Sequence, residues 1–471
     1  MNGDKLDSDR LGTLDSFGHR KAMIPAEVNG LWKKRREWSQ AILILIFLIL
    51  PWTKINGVQT ILLDIPSRKF QLFGATFWAH DAPLVFFILL IGCIGLAFVT
   101  AIWGRVWCGW ACPQTVFIDG LFRRVEIWIE GNHLKRRALL AAPMSFEKFY
   151  KKTLKWLVYF ILCSVLAHSF IAYFVGADSL IKMMQNNPNE NLTYFTLVAS
   201  ITAVLVFNFG WFREQFCIIM CPYGRIQSVL MDQNSLAVLY DEKRGEPRKN
   251  PNVPPEKQGD CISCNKCVQV CPTGIDIRKG IQLECIACTA CIDACNDIMK
   301  KVNKPPNLIR YGSESGVYGK IKSFRSMMYL GIIFIASVIL IYQLSTRTVY
   351  RATILRGQGL PYSLTKNEKD EDIVVNHFKL HLKNQGYEVL KFNISLALEE
   401  MQINPDLIEL TAPINDVELQ SGDDVTLHFF IKARPQVTTG VGSRNAELNL
   451  KINKGSEILT SKLNLQLTGP K

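Results

Sequence analysis

The chain has 471 residues, of which 48% are hydrophobic, and a formal net charge of +13. That length exceeds one compact core, so several units are expected. The apolar residues come in blocks with the charges between them, which argues against one soluble domain and against a basic face wrapped on nucleic acid.

Residues 1–37 form a polar N-terminal segment ending near Lys33-Lys34-Arg35-Arg36, without the short apolar region and cleavage site of a signal peptide. Five runs then reach the length a bilayer requires, about 20 mostly apolar residues each. They lie at roughly 38–54, 82–103, 154–176, 192–212 and 326–345. The first is the shortest and depends on its basic flank. The connecting segments 104–153 and 213–325 hold nine and seventeen Lys or Arg, whereas 53–80 and 177–192 hold three and one. Positive residues stay inside, so 1–37, 104–153 and 213–325 are expected in the cytoplasm and 346–471 outside it. The expected domains are helices one to four over 38–212, a cytoplasmic insert at 213–325, helix five at 326–345 and a periplasmic tail.

All 14 cysteines fall between Cys93 and Cys295. Their spacings are those of metal ligands, which need reduced thiols and suit the cytoplasmic side. The insert carries Cys261-x-x-Cys264-x-x-Cys267-x-x-x-Cys271-Pro272 and then Cys285-x-x-Cys288-x-x-Cys291-x-x-x-Cys295. Each run supplies three ligands to one cubane and a fourth to the other. One [4Fe–4S] cluster is therefore expected on Cys261, Cys264, Cys267 and Cys295, the other on Cys285, Cys288, Cys291 and Cys271. Two zinc sites are disfavoured by the third Cys of each run and by Pro272. A bacterial ferredoxin-type α+β domain is expected at about 255–310.

A second cysteine pattern is repeated. Cys108-x-x-x-Cys112-Pro113 follows helix two and Cys217-x-x-x-Cys221-Pro222 follows helix four, each preceded by a Trp, an Arg and an aromatic residue. Within a helix Cys108 and Cys112 would share one face, and each proline would disturb or end its helix. Four thiolates near one interface suit soft ions such as Cu(I). Copper handling or thiol redox chemistry, an additional iron–sulfur cluster, and plain buried thiols all remain open on these residues. Cys93 and Cys163 lack partners at useful spacing, and His168 lacks a second mid-membrane histidine for haem. Glu126 and Glu130 are helix-spaced carboxylates that read as a solvated face.

The tail 346–471 alternates in strand fashion over 378–383, 388–398, 425–432, 446–452 and 458–467. An all-β immunoglobulin-like sandwich without a disulfide is expected.

Five spans, two C-x-x-x-C-P motifs, a two-cluster insert and this tail together resemble the FixG/RdxA/CcoG family, bacterial cytochrome c oxidase accessory proteins. The resemblance implies a role in assembling a cbb-type oxidase in the bacterial cytoplasmic membrane. It makes Cys108, Cys112, Cys217 and Cys221 the copper-handling or redox residues, reducing Cu(II) to Cu(I) with electrons from the clusters. Expected partners are a flavodoxin- or ferredoxin-like donor steered by the basic face, the oxidase or a copper chaperone, membrane lipid and a second copy of the chain, with nucleic acid excluded. The alternatives are a polyferredoxin linking quinol to a redox partner, and a redox sensor without turnover.

Overall fold

The computed structural model describes residues 23–471 apart from 56, 79–80, 250–252, 317–322, 347, 367–370, 387, 398–403, 414–415, 421, 439–440, 455–456 and 471. The chain divides into two compact units, one made of residues 1–53 and 83–342, the other of 54–82 and 343–471.

In the first unit, helix α1 (Leu31–Ile49) begins at Gly30 without a side-chain cap of its own. Asp293, from far along the chain, accepts from the backbone N–H groups of Trp32 (3.3 Å) and Lys33 (2.7 Å). A carboxylate there satisfies first-turn donors and meets the positive end of the helix dipole. Helices α2 (Ala82–Trp103), α3 (Val106–Trp110) and α4 (Pro113–Phe117) follow. A π-helical turn at Ile118–Phe122 leads into α5 (Arg123–Glu130), then α6 (His133–Ala141). The 30-residue α7 (Phe146–Val175) is capped by Ser145, whose hydroxyl accepts from Lys148 N. Then come α8 (Ala177–Gln185) and α9 (Leu192–Phe207), which runs on through a π-helical turn at Asn208–Phe212.

Four helices among the described residues are long and apolar enough to cross a membrane: Pro83–Trp103, Phe146–Val175, Leu192–Phe212 and Phe324–Ser345. They match expected spans two to five. The first expected span falls on α1, whose opening turns hold Lys33, Lys34, Arg35, Arg36 and Glu37 and leave it short of the same length and composition. Phe117, Phe122, Tyr159 and Phe209 pack between these helices, with Phe122 stacked on Phe209 at 4.6 Å.

Beyond α9 the chain makes a π-helical turn (Phe216–Met220), α10 (Pro222–Leu230), a short helix α11 (Glu242–Gly245), α12 (Lys266–Gln269), α13 (Ala290–Lys301) and the last long helix, α14 (Phe324–Ser345). Strands Ala237–Tyr240 and Ile309–Gly312 pair antiparallel and close the insert around Val238, Ile292, Met299 and Ile309.

The second unit is all-β. A five-stranded sheet contains, in order, Ile408–Thr411, Asp424–Ala433, Asp372–Asn384 and Tyr350–Arg356, with Ser363–Lys366 also on Asp372–Asn384. The facing sheet orders Asp416–Leu419, Leu390–Leu396, Ser443–Lys454 and Glu457–Thr468. Alternate residues of each strand fill the space between, among them Phe378, Leu380, Phe392, Phe429, Ile431 and Leu450. Two polar residues enter this core with their bonds met. Asn384 Nδ2 donates to Glu388 O and Leu419 O, and Asn376 exchanges bonds with Thr468. All five expected strands are present; Tyr350–Arg356 was missed, as were three strands of only four residues each, Ser363–Lys366, Ile408–Thr411 and Asp416–Leu419, which are too short to show alternation. Phe429 is fully buried, so Phe429→Ala should cost this unit about 3–5 kcal/mol, read as a lower unfolding midpoint.

Residues 54–82 belong to this unit and include the antiparallel strands Ile61–Asp64, Lys69–Leu72 and Ala75–Trp78. Lys69 Nζ donates to Gly422 O at 3.2 Å. From the sequence this segment is only a connection between two apolar runs, because its strands are four residues or shorter.

Candidate functional site

The insert folds around two cavities. Cys261, Cys264, Cys267 and Cys295 line one, with Tyr240 and Arg278. Cys271, Cys285, Cys288 and Cys291 line the other, which Cys267 also reaches. These are the two sets expected from the crossed spacing. In each run the residues on either side of the middle Cys are left-handed: Ser263 (φ 58°) and Asn265 (φ 53°), then Ala287 (φ 51°) and Thr289 (φ 61°). Four non-glycine residues held there carry strain that the surroundings must impose. The result is a loop wound around its cavity, which suits a bulky centre bound by three successive cysteines.

Burial pushes the thiol of Cys267 up to about 11 and those of Cys285 and Cys295 up to about 12. Bare thiolates are disfavoured in such cavities, whereas a bound metal centre deprotonates its thiols outright. Among the described residues no three His, Cys, Asp or Glu side chains converge closely enough to hold a single ion. The cysteines surround cavities instead of a point. Shape, backbone and donor set all fit [4Fe–4S] groups.

In both C-x-x-x-C-P motifs the chain breaks at the proline, as expected, and the second cysteine lies outside the helix that would have set both thiols on one face. Cys108 lies in α3, but Cys112 is extended (φ −62°, ψ 127°) and Pro113 starts α4. Cys217 lies in the π-helical turn 216–220, Cys221 is extended (φ −72°, ψ 110°) and Pro222 starts α10. Proline cannot donate the N–H that a continuing helix needs but is at home in a first turn, so each motif breaks and restarts. The break brings the four thiols together. Cys108, Cys112 and Cys217 each sense Cys221, and Cys217 senses all three others. Burial first, then Cys112, pushes the Cys108 thiol up to about 12; burial likewise raises Cys112 and Cys217.

Sequence reasoning missed the support for Cys108. Its Sγ donates to Gln227 Oε1 (3.1 Å), Gln227 Nε2 donates to the Tyr223 hydroxyl (3.1 Å), and that hydroxyl shares a proton with Thr100 Oγ1 (2.8 Å). Gln227 is fully buried, yet no spacing rule marks a lone glutamine five residues after a proline.

The second cavity sits directly on the thiol site. Gly109 faces its loop so closely that an added Cβ would lie 2.5 Å from Ile286 O and 3.0 Å from Ala287 O. Trp110 Nε1 donates to Ala287 O (3.4 Å). Arg105, one of the repeat's arginines, donates to Leu283 O, to Cys285 O (3.4 Å) and to Gly224 O (2.8 Å). Cys217 and Glu214 share a small cavity with Pro272 and Thr273, next to Cys271.

The other repeat arginine, Arg213, has a different task. It donates to Glu126 at 2.8 and 3.2 Å, and Glu126 also receives Arg136. Glu130 meets Lys152 at 2.8 Å and Lys155 at 2.9 Å. Arg123 bridges Asp119 and Glu214, and Arg36 lies 3.5 Å from Asp119. Glu126 and Glu130 are 3% and 4% exposed, which corrects their reading as a solvated face. They are anchors of a buried ion network, invisible locally because their partners come from other helices. Cys163 is buried, Cys93 is exposed, and His168 bonds within its own helix to Ser164 O.

Three family models match. Residues 212–314 match a 4Fe-4S dicluster domain, 85–135 a 4Fe-4S binding domain, and 340–467 the IG-like fold at the C-terminal of FixG, putative oxidoreductase. Protein RdxB of Cereibacter sphaeroides is 40% identical over 309 residues, 64% of each chain. Protein RdxA of the same organism is 37% identical over 300 residues, 63% of each. Nitrogen fixation protein FixG of Rhizobium meliloti is 38% identical over 308 residues, 64% of this chain and 58% of that one. The chain thus spans less than two thirds of the length of these relatives. With two iron–sulfur regions, four span-length apolar helices among the described residues and the immunoglobulin-like tail in one order, the chain is similar to RdxB, RdxA and FixG.

Proposed function

We propose that this protein carries electrons from a soluble donor to the thiols Cys108, Cys112, Cys217 and Cys221, where Cu(II) is reduced to Cu(I) for a cbb-type oxidase. The observation that carries this reading is the seating of the Cys285–Cys291 loop against Gly109, beside Cys108. When bound, the two clusters hold one electron each; Cys261, Cys264, Cys267 and Cys295 would ligate the outer one, and Cys271, Cys285, Cys288 and Cys291 the one nearer the thiols. Arg105, through Leu283 O and Cys285 O, and Trp110, through Ala287 O, hold that loop in place. Each Cu(II) takes up one electron, and soft thiolates prefer the Cu(I) produced over the Cu(II) consumed. Release to a copper chaperone or the oxidase follows in this reading, and a flavodoxin or ferredoxin is the donor.

Five spans and a cytoplasmic insert belong to the same proposal. Ala26 N donates to Gln269 O (2.8 Å) and Asp293 caps α1, tying the start of α1 to the insert. Residues 54–82, just after α1, share a unit with the tail beyond α14. The apolar stretch of α1 that follows its basic opening turns supports a crossing by α1. The basic count of 104–153 and 213–325 supports their cytoplasmic side.

One observation favours a second reading of the thiols. The 4Fe-4S binding match at 85–135 contains Cys108 and Cys112 but none of the insert's eight cysteines. On that reading the four thiols hold a further cluster.

Anaerobically purified protein decides between them. About eight irons per chain fit two cubanes, and about twelve fit three. Replacing the four thiols by Ser should reduce Cu(II) reduction to the uncatalysed background while about eight irons remain. Undiminished copper reduction in that variant would sink the copper reading.

A further inference from the structure

The outer face of the five-stranded sheet carries a pair of imidazoles that the thiol chemistry does not use. His377, on the strand Asp372–Asn384, places Nε2 3.0 Å from Nδ1 of His428 on the neighbouring strand Asp424–Ala433. The ring centres are 5.1 Å apart, close to that nitrogen gap plus one ring radius at each end, so the rings meet edge to edge. Phe430 stacks on His377 at 4.7 Å and 18°, fixing its ring from one side. The chain of Gly357, whose N–H donates to His377 O at 2.8 Å, crowds it from another. His428 is exposed and His377 half-buried, so the pair is open to solvent.

We propose that His377 and His428 form a surface binding site for a cupric ion, with water completing the coordination. Two imidazole nitrogens each about 2.0–2.1 Å from one ion lie about 2.9 Å apart when the ligands are at right angles, and about 3.3 Å apart at the tetrahedral angle. The observed 3.0 Å puts the two nitrogens within reach of one ion after a modest rotation, and Cu(II) binds imidazole most tightly among the first-row divalent ions. Without the ion, one ring donates a proton to the other. Binding needs a tautomer exchange in whichever ring donates the proton and a rotation that aims both lone pairs at one point, with no net proton released. Lys379, opposite His428 in the register, is the cation beside the site, with Lys432 and Lys383 further along the same face. The site is independent of the thiol reading.

The test uses the full-length protein in detergent with Cys108, Cys112, Cys217 and Cys221 replaced by Ser, so that the interfacial thiols neither bind nor reduce the probe. One equivalent of Cu(II) is added anaerobically and followed by electron paramagnetic resonance. The expected result is one copper per chain with two coupled nitrogens. His377→Gln and His428→Gln should each weaken binding at least tenfold and remove one nitrogen coupling. His381→Gln should change nothing, since His381 is engaged with Asp424 at 2.9 Å. A parent protein whose copper shows no nitrogen coupling overturns the proposal without recourse to any variant. So does binding that survives both substitutions, which would leave the pair as an ordinary hydrogen bond.

Discussion

Replacing Glu126 by Gln should lower stability by about 3–5 kcal/mol, among the largest effects of any isosteric change in the helical unit. Glu126 is 3% exposed and takes both terminal nitrogens of Arg213, together with Arg136. Gln keeps the shape but removes the charge, leaving two buried guanidinium groups short of a counter-ion. Burial alone would raise the Glu126 pKa; Arg213, Arg136 and Lys155 outweigh it and hold the carboxyl at about 2. A carboxylate whose folded pKa lies below its unfolded value, about 4.3, contributes fully above that value and loses the contribution as pH falls towards 2. Thermal unfolding in detergent should therefore show a lower midpoint for Glu126→Gln near neutrality, with the gap to the parent closing in acid. Equal midpoints at pH 7 would mean that the network contributes specificity and no stability.

Gly109→Val should slow delivery of electrons to the thiol site by on the order of tenfold to a hundredfold while leaving the iron content intact. The cause is local. The Ile286 and Ala287 carbonyls occupy the space a side chain would need, and both are backbone atoms, which cannot rotate away as the tip of a side chain would. The loop must lift from α3, lengthening the step from its cysteines to Cys108. Gly109→Ala should do the same to a smaller degree. The measurement is copper reduction after rapid mixing with chemically reduced protein, alongside iron analysis. An unchanged rate with a full iron complement would show that electrons reach the thiols by another route.

Much of this site was legible before any coordinates. Metal-ligand spacing is a local property of the chain, so the two cysteine runs, and the crossing of Cys271 and Cys295 between them, could be read directly. In the structure Cys261, Cys264, Cys267 and Cys295 line one cavity, and Cys267, Cys271, Cys285, Cys288 and Cys291 the other. Apolar runs of bilayer length are equally local, and four of the five expected spans are long apolar helices among the described residues. The strands of the tail announced themselves by period-two alternation because one face of each is buried against the opposite sheet.

What was misread depends on neighbours distant in sequence. Glu126 and Glu130 look solvated beside Arg123-Arg124, and only the approach of Arg213 and Lys155 from other helices buries them. The start of α1 has no cap in its own segment and borrows Asp293, 260 residues away from Lys33. The His377–His428 contact follows from strand register, which no single strand encodes.

The feature most divided between the two levels is the C-x-x-x-C-P repeat. By itself the sequence led to the expectation of four thiols just beyond two apolar runs, each pair followed by a proline, because run length and the proline's missing N–H are local facts. Only the tertiary structure decided that the second cysteine of each pair leaves the helix, that the pairs meet, and that they meet beneath the Cys285–Cys291 loop. The physical reason is packing: Gly109 admits the loop's carbonyls, Arg105 and Trp110 bond to them, and those contacts exist only once helices far apart in the chain have come together.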